Sequence, residues 1–350
     1  MPQGVLTSYK QFLPINENTP IFSLGEGQTP LIKSRNIVKI IGCRELYFKF
    51  EGCNPTGSFK DRGMVLAVAK ALEKGVTNIV CASTGNTSAS AAAYGAYLGL
   101  KTTIIVPQGK VASGKLAQAI AYGAHIAVIK GNFDSALSIA RELSSKHPIE
   151  LVNSINPNRI EGQKTAAFEI VDDIKRAPEL LFIPVGNAGN ISAYWKGFKE
   201  YFELGFSKEL PEFHGYQAAG ASPLVTGKVV ENPETIASAI RIGNPASWEN
   251  AIKARDESGG LIQSVTDEEI ISAYQLLASN EGIFCEPASA ASLAGLILEK
   301  KNGSDFHDKT IVCIVTGNGL KDPENAIKIS PASYGEYQND YESVEKVLVN

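Results

Sequence analysis

Cysteine is scarce in this 350-residue chain and is nowhere arranged to bridge or to bind. Cys43, Cys53, Cys81, Cys285 and Cys313 are an odd number, scattered, with no C-x-x-C pair. That excludes a disulfide framework and a zinc ribbon, and it fits a reducing, cytoplasmic setting. Cys81 and Cys313 sit in strand-like apolar runs, where a thiol behaves as a small buried hydrophobe. The four histidines are isolated from one another and form no H-E-x-x-H, so no metal site is expected. Charge of one sign is also lacking in bulk. The net charge is −4 without any block of like charges, which argues against a nucleic-acid surface. No apolar run approaches the ~20 residues of a membrane span. The first twenty residues carry Lys10 and Glu17 in place of an apolar core, so no secretory signal is expected.

What is present is a soluble, globular composition with 44% hydrophobic residues. The length suits two domains of about 150 residues each. Residues 1–44 read as irregular and turn-rich, and strand and helix signals alternate from there on. Helix 58–74 is followed by strand 78–82, helix 86–98, strand 102–106, helix 114–122, strand 125–129 and helix 133–145. A second series runs through helix 160–175, strand 180–185, helix 190–204, strand 213–217, helix 248–257, strand 261–265, helices 267–280 and 287–300, and strand 310–315. Continuous apolar strands alternating with helices predict an α/β fold of two open parallel sheets, each with helices on both faces. The expected division is a smaller domain of residues 45–150, with 1–44 and 151–350 forming a larger one.

The stretch Asn54-Pro55-Thr56-Gly57-Ser58-Phe59-Lys60-Asp61-Arg62-Gly63 joins a strand-like run to an apolar helical one. Ser58 and Asp61 have the spacing of a capping box. Lys60 then falls in the first helical turn, where the positive end of the helix dipole disfavours a cation. A lysine held neutral there is a nucleophile for a carbonyl. Taken alone, Ser-Phe-Lys reads as an ordinary solvated lysine; the segments that follow change that reading.

Ligands in open parallel sheets bind beyond the carboxyl ends of strands, and four such ends carry unusual residues. Ser83-Thr84-Gly85-Asn86-Thr87-Ser88 offers hydroxyls and backbone N–H groups at a helix start, suited either to a carboxylate or to simple capping. Gly186-Asn187-Ala188-Gly189-Asn190 offers close backbone approach and a positive helix end for a phosphate, or a tight turn. It is not G-x-G-x-x-G. Thr316-Gly317-Asn318-Gly319 places a hydroxyl where a ring nitrogen could meet it. In Asn153-Ser154-Ile155-Asn156-Pro157-Asn158-Arg159, Arg159 with Asn153 and Ser154 could fork onto an anion. The segment from Gly109 to Leu116 has P-loop spacing, but Leu116 stands where a magnesium-holding hydroxyl belongs. Lys110 within it remains a candidate anion contact.

In this order and spacing, N-P-T-G-S-F-K-D-R-G, S-T-G-N-T-S, G-N-A-G-N and T-G-N-G resemble the fold type II (tryptophan synthase β) family of pyridoxal phosphate enzymes. With Gly25-Glu26-Gly27-Gln28-Thr29-Pro30-Leu31 and N-S-I-N-P-N-R, the match is similar to the threonine synthase branch. The resemblance implies an active site between the domains and pyridoxal 5′-phosphate linked to Lys60, which also moves protons. It implies that Asn86 meets the cofactor's phenolic oxygen and Thr316 its ring nitrogen, with residues 186–190 around its phosphate. Ser83, Thr84 and Thr87 would take the substrate carboxylate, and Lys110, Asn153, Ser154 and Arg159 the substrate's own phosphate. The implied reaction converts O-phospho-L-homoserine and water to L-threonine and phosphate, in a homodimer. A threonine or serine dehydratase would use the same lysine and cofactor but release ammonia and 2-oxobutyrate. A nucleotide-binding protein is the remote alternative.

Overall fold

The computed structural model describes residues 3–108, 113–329 and 335–348. Among these residues ten strands form two sheets: β1 (Leu31–Lys33), β2 (Glu45–Phe50), β3 (Asn78–Ala82), β4 (Lys101–Pro107), β5 (His125–Ile129), β6 (Ile149–Leu151), β7 (Leu180–Pro184), β8 (Glu212–Ala218), β9 (Leu261–Val265) and β10 (Thr310–Val315). Six strands run in the order β1-β2-β10-β7-β8-β9, parallel except for the antiparallel β1 edge. Four run in the order β5-β4-β3-β6, all parallel. Parallel strands need covering on both faces, and side-chain alternation provides it. From β3, Ile79 and Cys81 pack toward helices Lys60–Glu73 and Asn86–Tyr97, whereas Val80 and Ala82 pack toward helix Phe133–Lys146. In the larger sheet Leu181, Ile183, Val312 and Ile314 join that first core, and Leu180, Phe182, Ile311, Cys313 and Val315 join a second. One apolar core therefore continues from one sheet to the other.

Strand β2 belongs to the larger sheet, although its place in the chain put it at the start of the smaller unit. It pairs with β10 over six residues, from Glu45 opposite Thr310 to Phe50 opposite Val315. Its buried Leu46 and Phe48 complete the second core. In turn β6, Ile149–Leu151, closes the edge of the smaller sheet beside β3. The partner that claims β2 lies some 260 residues downstream, beyond the reach of local pattern.

The helix read as 160–175 is two helices, Pro157–Gln163 and Thr165–Ile174. Pro157 occupies the first turn, and the Asn156 side chain caps it by accepting from the Asn158 N–H at 3.0 Å. The break follows Gly162, whose carbonyl accepts the Thr165 hydroxyl at 2.7 Å. Gly162 and Gly63 face each other where this helix crosses Lys60–Glu73. A Cβ on Gly162 would stand 2.1 Å from the Arg62 carbonyl, and one on Gly63 would stand 2.6 Å from that of Arg159. Only two glycines let these backbones touch, and that contact carries Arg159 beneath Lys60.

The expected capping box does not form. Helix Lys60–Glu73 has no side-chain cap. Asp61 is buried and accepts instead from the Thr56 N–H at 2.7 Å, the Thr56 hydroxyl at 2.7 Å and the Ser90 hydroxyl at 2.6 Å. It braces the loop before the lysine against helix Asn86–Tyr97. Next to it Arg62, also buried, makes two-pronged contacts with Glu51 (2.6 and 2.8 Å) and Glu169 (2.6 and 2.6 Å), while Lys49 adds a 2.8 Å bond to Glu169. Two carboxylates and two cations thus lock β2, helix Lys60–Glu73 and helix Thr165–Ile174 together.

Candidate active site

The loop before Lys60 is zipped onto the turn after β10. The Phe59 N–H donates to the Thr316 carbonyl at 3.1 Å, and the Asn318 N–H donates to the Gly57 carbonyl at 2.9 Å. Lys321 adds a 3.0 Å bond to the Thr56 carbonyl. Lys60 and Thr316, 256 positions apart in the chain, are thereby held side by side.

Lys60 opens its helix as expected, and its amine lies 4.2 Å over the Phe59 ring. Its pKa is lowered from the ordinary 10.5 to about 7. Burial is the larger cause, the Arg159 guanidinium is second, and Glu286 opposes both. Half the amine is then neutral at pH 7, against ~1 in 3000 for a solvated lysine. With the Lys60 amine free, its acylation by a small anhydride, read by peptide mass, should accelerate tenfold per pH unit up to about 7 and level off above it. A rate still climbing at about pH 9 would mark an ordinary lysine.

Arg159 is fully buried. Its guanidinium donates to the Val152 carbonyl at 2.8 Å and to the Lys60 carbonyl at 3.5 Å, and its Nε has no partner. Burial lowers its pKa to about 10. A buried cation bonded only to carbonyls is left without a counter-charge, which is costly unless an anion comes near it. Asn153 is differently employed. Its amide accepts from the Ala82 N–H and donates to the Ala82 carbonyl, both at 2.8 Å, stitching β6 to the end of β3. Ser154 instead accepts a hydrogen bond from Asn187 and so ties this segment to the 186–190 loop. Lys110 lies outside the described residues.

Ser83, Thr84 and Thr87 stand half-buried at the end of β3, with Asn86 opening helix Asn86–Tyr97. Among the described residues a Cβ on Gly85 would meet nothing within 4 Å. On the larger sheet, residues 186–190 lead into helix Gly189–Glu203. Ala188 sits at φ 62°, a left-handed conformation that costs a non-glycine residue energy and is kept where a ligand is clamped. The Asn187 carbonyl oxygen of the side chain accepts from the Ala246 N–H at 2.7 Å. Among the described residues neither polar atom of the buried Asn190 side chain has a partner. Orphaned amide atoms at the positive end of a fifteen-residue helix fit a phosphate.

Sequence reasoning missed Glu286. It is buried at the start of helix Pro287–Lys301, and its N–H donates to the Gly317 carbonyl at 3.0 Å. The Asn86 amide donates to its carboxyl at 3.0 and 3.2 Å, and the Thr316 hydroxyl donates at 3.2 Å. The helix end signalled by Glu286-Pro287 was the available clue. Asn86 comes from the smaller sheet and Thr316 from the larger, so this carboxyl joins the two halves of the site. No cluster of metal-ligating side chains occurs among the described residues. No described helix is long and apolar enough to cross a membrane.

Comparison with known proteins identifies the class. Residues 22–317 match the family model described as pyridoxal-phosphate dependent enzyme, and the chain belongs to that family. Solved structures share the fold: maize serine racemase superposes with a TM-score of 0.74 at 22% identity, covering 87% of this chain and 92% of that one. Cysteine synthase from Entamoeba histolytica gives 0.73 at 19% identity, over 93% and 94%. Pyridoxal phosphate is the cofactor, and the lysine, the orphaned asparagine and the helix end fit it.

Within that class the chain is a member of the threonine synthase family. It is 60% identical to the threonine synthase of Halalkalibacterium halodurans, over 94% of each chain. It is 58% identical to that of Bacillus sp. strain ULM1, over 99% of this chain and 97% of the relative. With that of Methanocaldococcus jannaschii the identity is 54%, over 92% and 82%.

Proposed function

We propose that this enzyme, which carries out the pyridoxal-phosphate-dependent last step of threonine biosynthesis, takes O-phospho-L-homoserine and water to L-threonine and phosphate. The observation that carries the reading is a pair of adjacent anion-seeking places. One is the 186–190 loop with its unpartnered Asn190; the other is Arg159 with Ser154, joined to the first through the Asn187–Ser154 bond. A cofactor phosphate and a substrate phosphate need two such places, whereas a dehydratase acting on threonine needs one.

Bound pyridoxal phosphate acts as an electron sink that acidifies hydrogens on the substrate carbon skeleton. The residues of the chain supply the rest. Lys60 holds the cofactor through its amine and, with a pKa of about 7, can accept and return protons near neutrality. Ser83, Thr84 and Thr87 orient the substrate carboxylate at the end of β3. Asn86 and Thr316, both bonded to the Glu286 carboxyl, would meet the phenolic oxygen and the ring nitrogen of the cofactor, and residues 186–190 would hold its phosphate. Arg159 and Ser154 place the substrate phosphate so that its departure is drawn toward positive charge. Asn153 serves by fixing the strand end under them, and Lys110 completes the proposed anion set. We take a homodimer in the cytoplasm as the working state. The five free cysteines suit a reducing compartment, and the exposed Leu320, Ile327 and Tyr341 offer apolar surface for a second copy.

The test is incubation of the purified holoenzyme with O-phospho-L-homoserine while threonine and phosphate are followed together. They should appear one for one, and Arg159→Ala should lower kcat/KM by about 100-fold, the loss of a buried charge-assisted contact. Ammonia and 2-oxobutyrate as the main products, or an Arg159→Ala variant at full activity, would refute the substrate assignment.

A further inference from the structure

We propose that Glu286 is a positioning residue for the cofactor ring, its carboxyl fixing at once the facing of the Asn86 amide and the direction of the Thr316 hydroxyl. The inference rests on the assignment of those two residues to the cofactor. The Asn86 side chain donates from Nδ2 to both oxygens of Glu286, so its amide cannot turn over without losing that bond. The second N–H of the same nitrogen is then free to meet the phenolic oxygen as a donor. The Thr316 hydroxyl has a single hydrogen and lies between Glu286, at 3.2 Å, and Ser289 Oγ, at 2.9 Å. A charged carboxyl takes that hydrogen and leaves only lone pairs for the ring nitrogen. A neutral carboxyl can itself donate to Thr316 Oγ1, which frees the hydroxyl hydrogen to point at the ring nitrogen. The state of Glu286 thus sets whether the ring nitrogen meets a donor or an acceptor.

The packing leaves the carboxyl little freedom. A Cβ on Gly317 would fall 2.5 Å from Glu286 Oε1, so the group is pressed against the turn after β10. The charged groups facing it are Lys60, from the start of helix Lys60–Glu73, and Lys321, from the segment after β10; the Cys285 thiol is its chain neighbour. Burial raises the Glu286 pKa, and the hydrogen bond from Asn86, Lys321, Thr316 and Lys60 oppose it in that order. Among these only Asn86 and Thr316 touch it, which is why they feel its protonation.

The experiment compares Glu286→Ala, Glu286→Gln, Asn86→Ala and Thr316→Val holoenzymes by cofactor dissociation constant and by the pH midpoint of the bound cofactor's visible absorption band. Glu286→Ala should weaken cofactor binding about tenfold, because Asn86 loses its anchor. Glu286→Gln keeps a neutral acceptor and donor in place, so binding should stay within about threefold of the parent. Both Glu286 variants should move the midpoint by about one pH unit. A Glu286→Ala protein with the parent's midpoint and affinity, while Asn86→Ala and Thr316→Val change both, overturns the proposal and leaves the site reading intact. If Asn86→Ala and Thr316→Val change neither, the site reading fails, and the proposal with it. A lower Tm with an unmoved midpoint would reduce Glu286 to a structural role and equally overturn it. Should Glu286→Ala not fold, Glu286→Gln decides through its midpoint.

Discussion

Lys60→Ala should purify without covalently held cofactor and with kcat reduced by at least about a thousandfold, since on the proposed roles it removes the covalent anchor and the proton carrier together. The fold should survive. Among the described residues the Lys60 side chain makes no ion pair, and the helix it opens is anchored by Asp61, Arg62 and a run of buried apolar residues. Circular dichroism and Tm check the fold, while borohydride reduction of the unmodified protein followed by peptide mapping checks the chemistry. A borohydride label on any other lysine would remove the basis of the site.

Arg62→Met should lower stability by about 3–5 kcal/mol, the cost of leaving buried carboxylates without their cation. Both Glu51 and Glu169 would be stranded, with Lys49 left to compensate only the second. The pH dependence carries a sign. Burial alone would raise the Glu169 pKa, but Arg62 and then Lys49 outweigh it and bring it from 4.5 to about 2. A carboxylate with a depressed pKa in the folded state contributes stability above its unfolded pKa and loses it as pH falls through the folded value. In the variant Glu169, its burial no longer outweighed by Arg62, favours the protonated form more, which removes its stranded charge. The gap between parent and variant should therefore be widest near neutrality and shrink below about pH 4, as measured by denaturant unfolding at each pH. A constant gap of under about 1 kcal/mol would show that the buried ions are not coupled as described.

Much of this architecture is legible from the chain. The βα alternation and the four loops at strand ends follow from side-chain period, glycine and asparagine placement, and the short reach of βα connections. Strands Asn78–Ala82, His125–Ile129, Leu261–Val265 and Thr310–Val315 stand where their apolar runs put them. Misreadings arose wherever a distant partner outbid a local one. Asp61 had the spacing to cap its helix, yet Thr56 and Ser90 engage it. Asn153 had the chemistry to hold an anion, yet the backbone of Ala82, 71 positions earlier, occupies its amide. Strand β2 followed its hydrogen-bonding partner β10 and left its chain neighbours.

The sequence by itself determined the class of chemistry: a lysine at a helix start, two glycine- and asparagine-rich helix openings, and a threonine at a strand end, in an order that parallel sheets bring to one edge. Only the tertiary structure decided how reactive that lysine is and which acid answers to it. Charge and hydration are summed over space and not along the chain. The pKa of the amine at position 60 is lowered by its burial and by Arg159, 99 residues away, whose approach depends on a glycine–glycine helix crossing. Glu286 enters because two strand ends from different sheets converge on it.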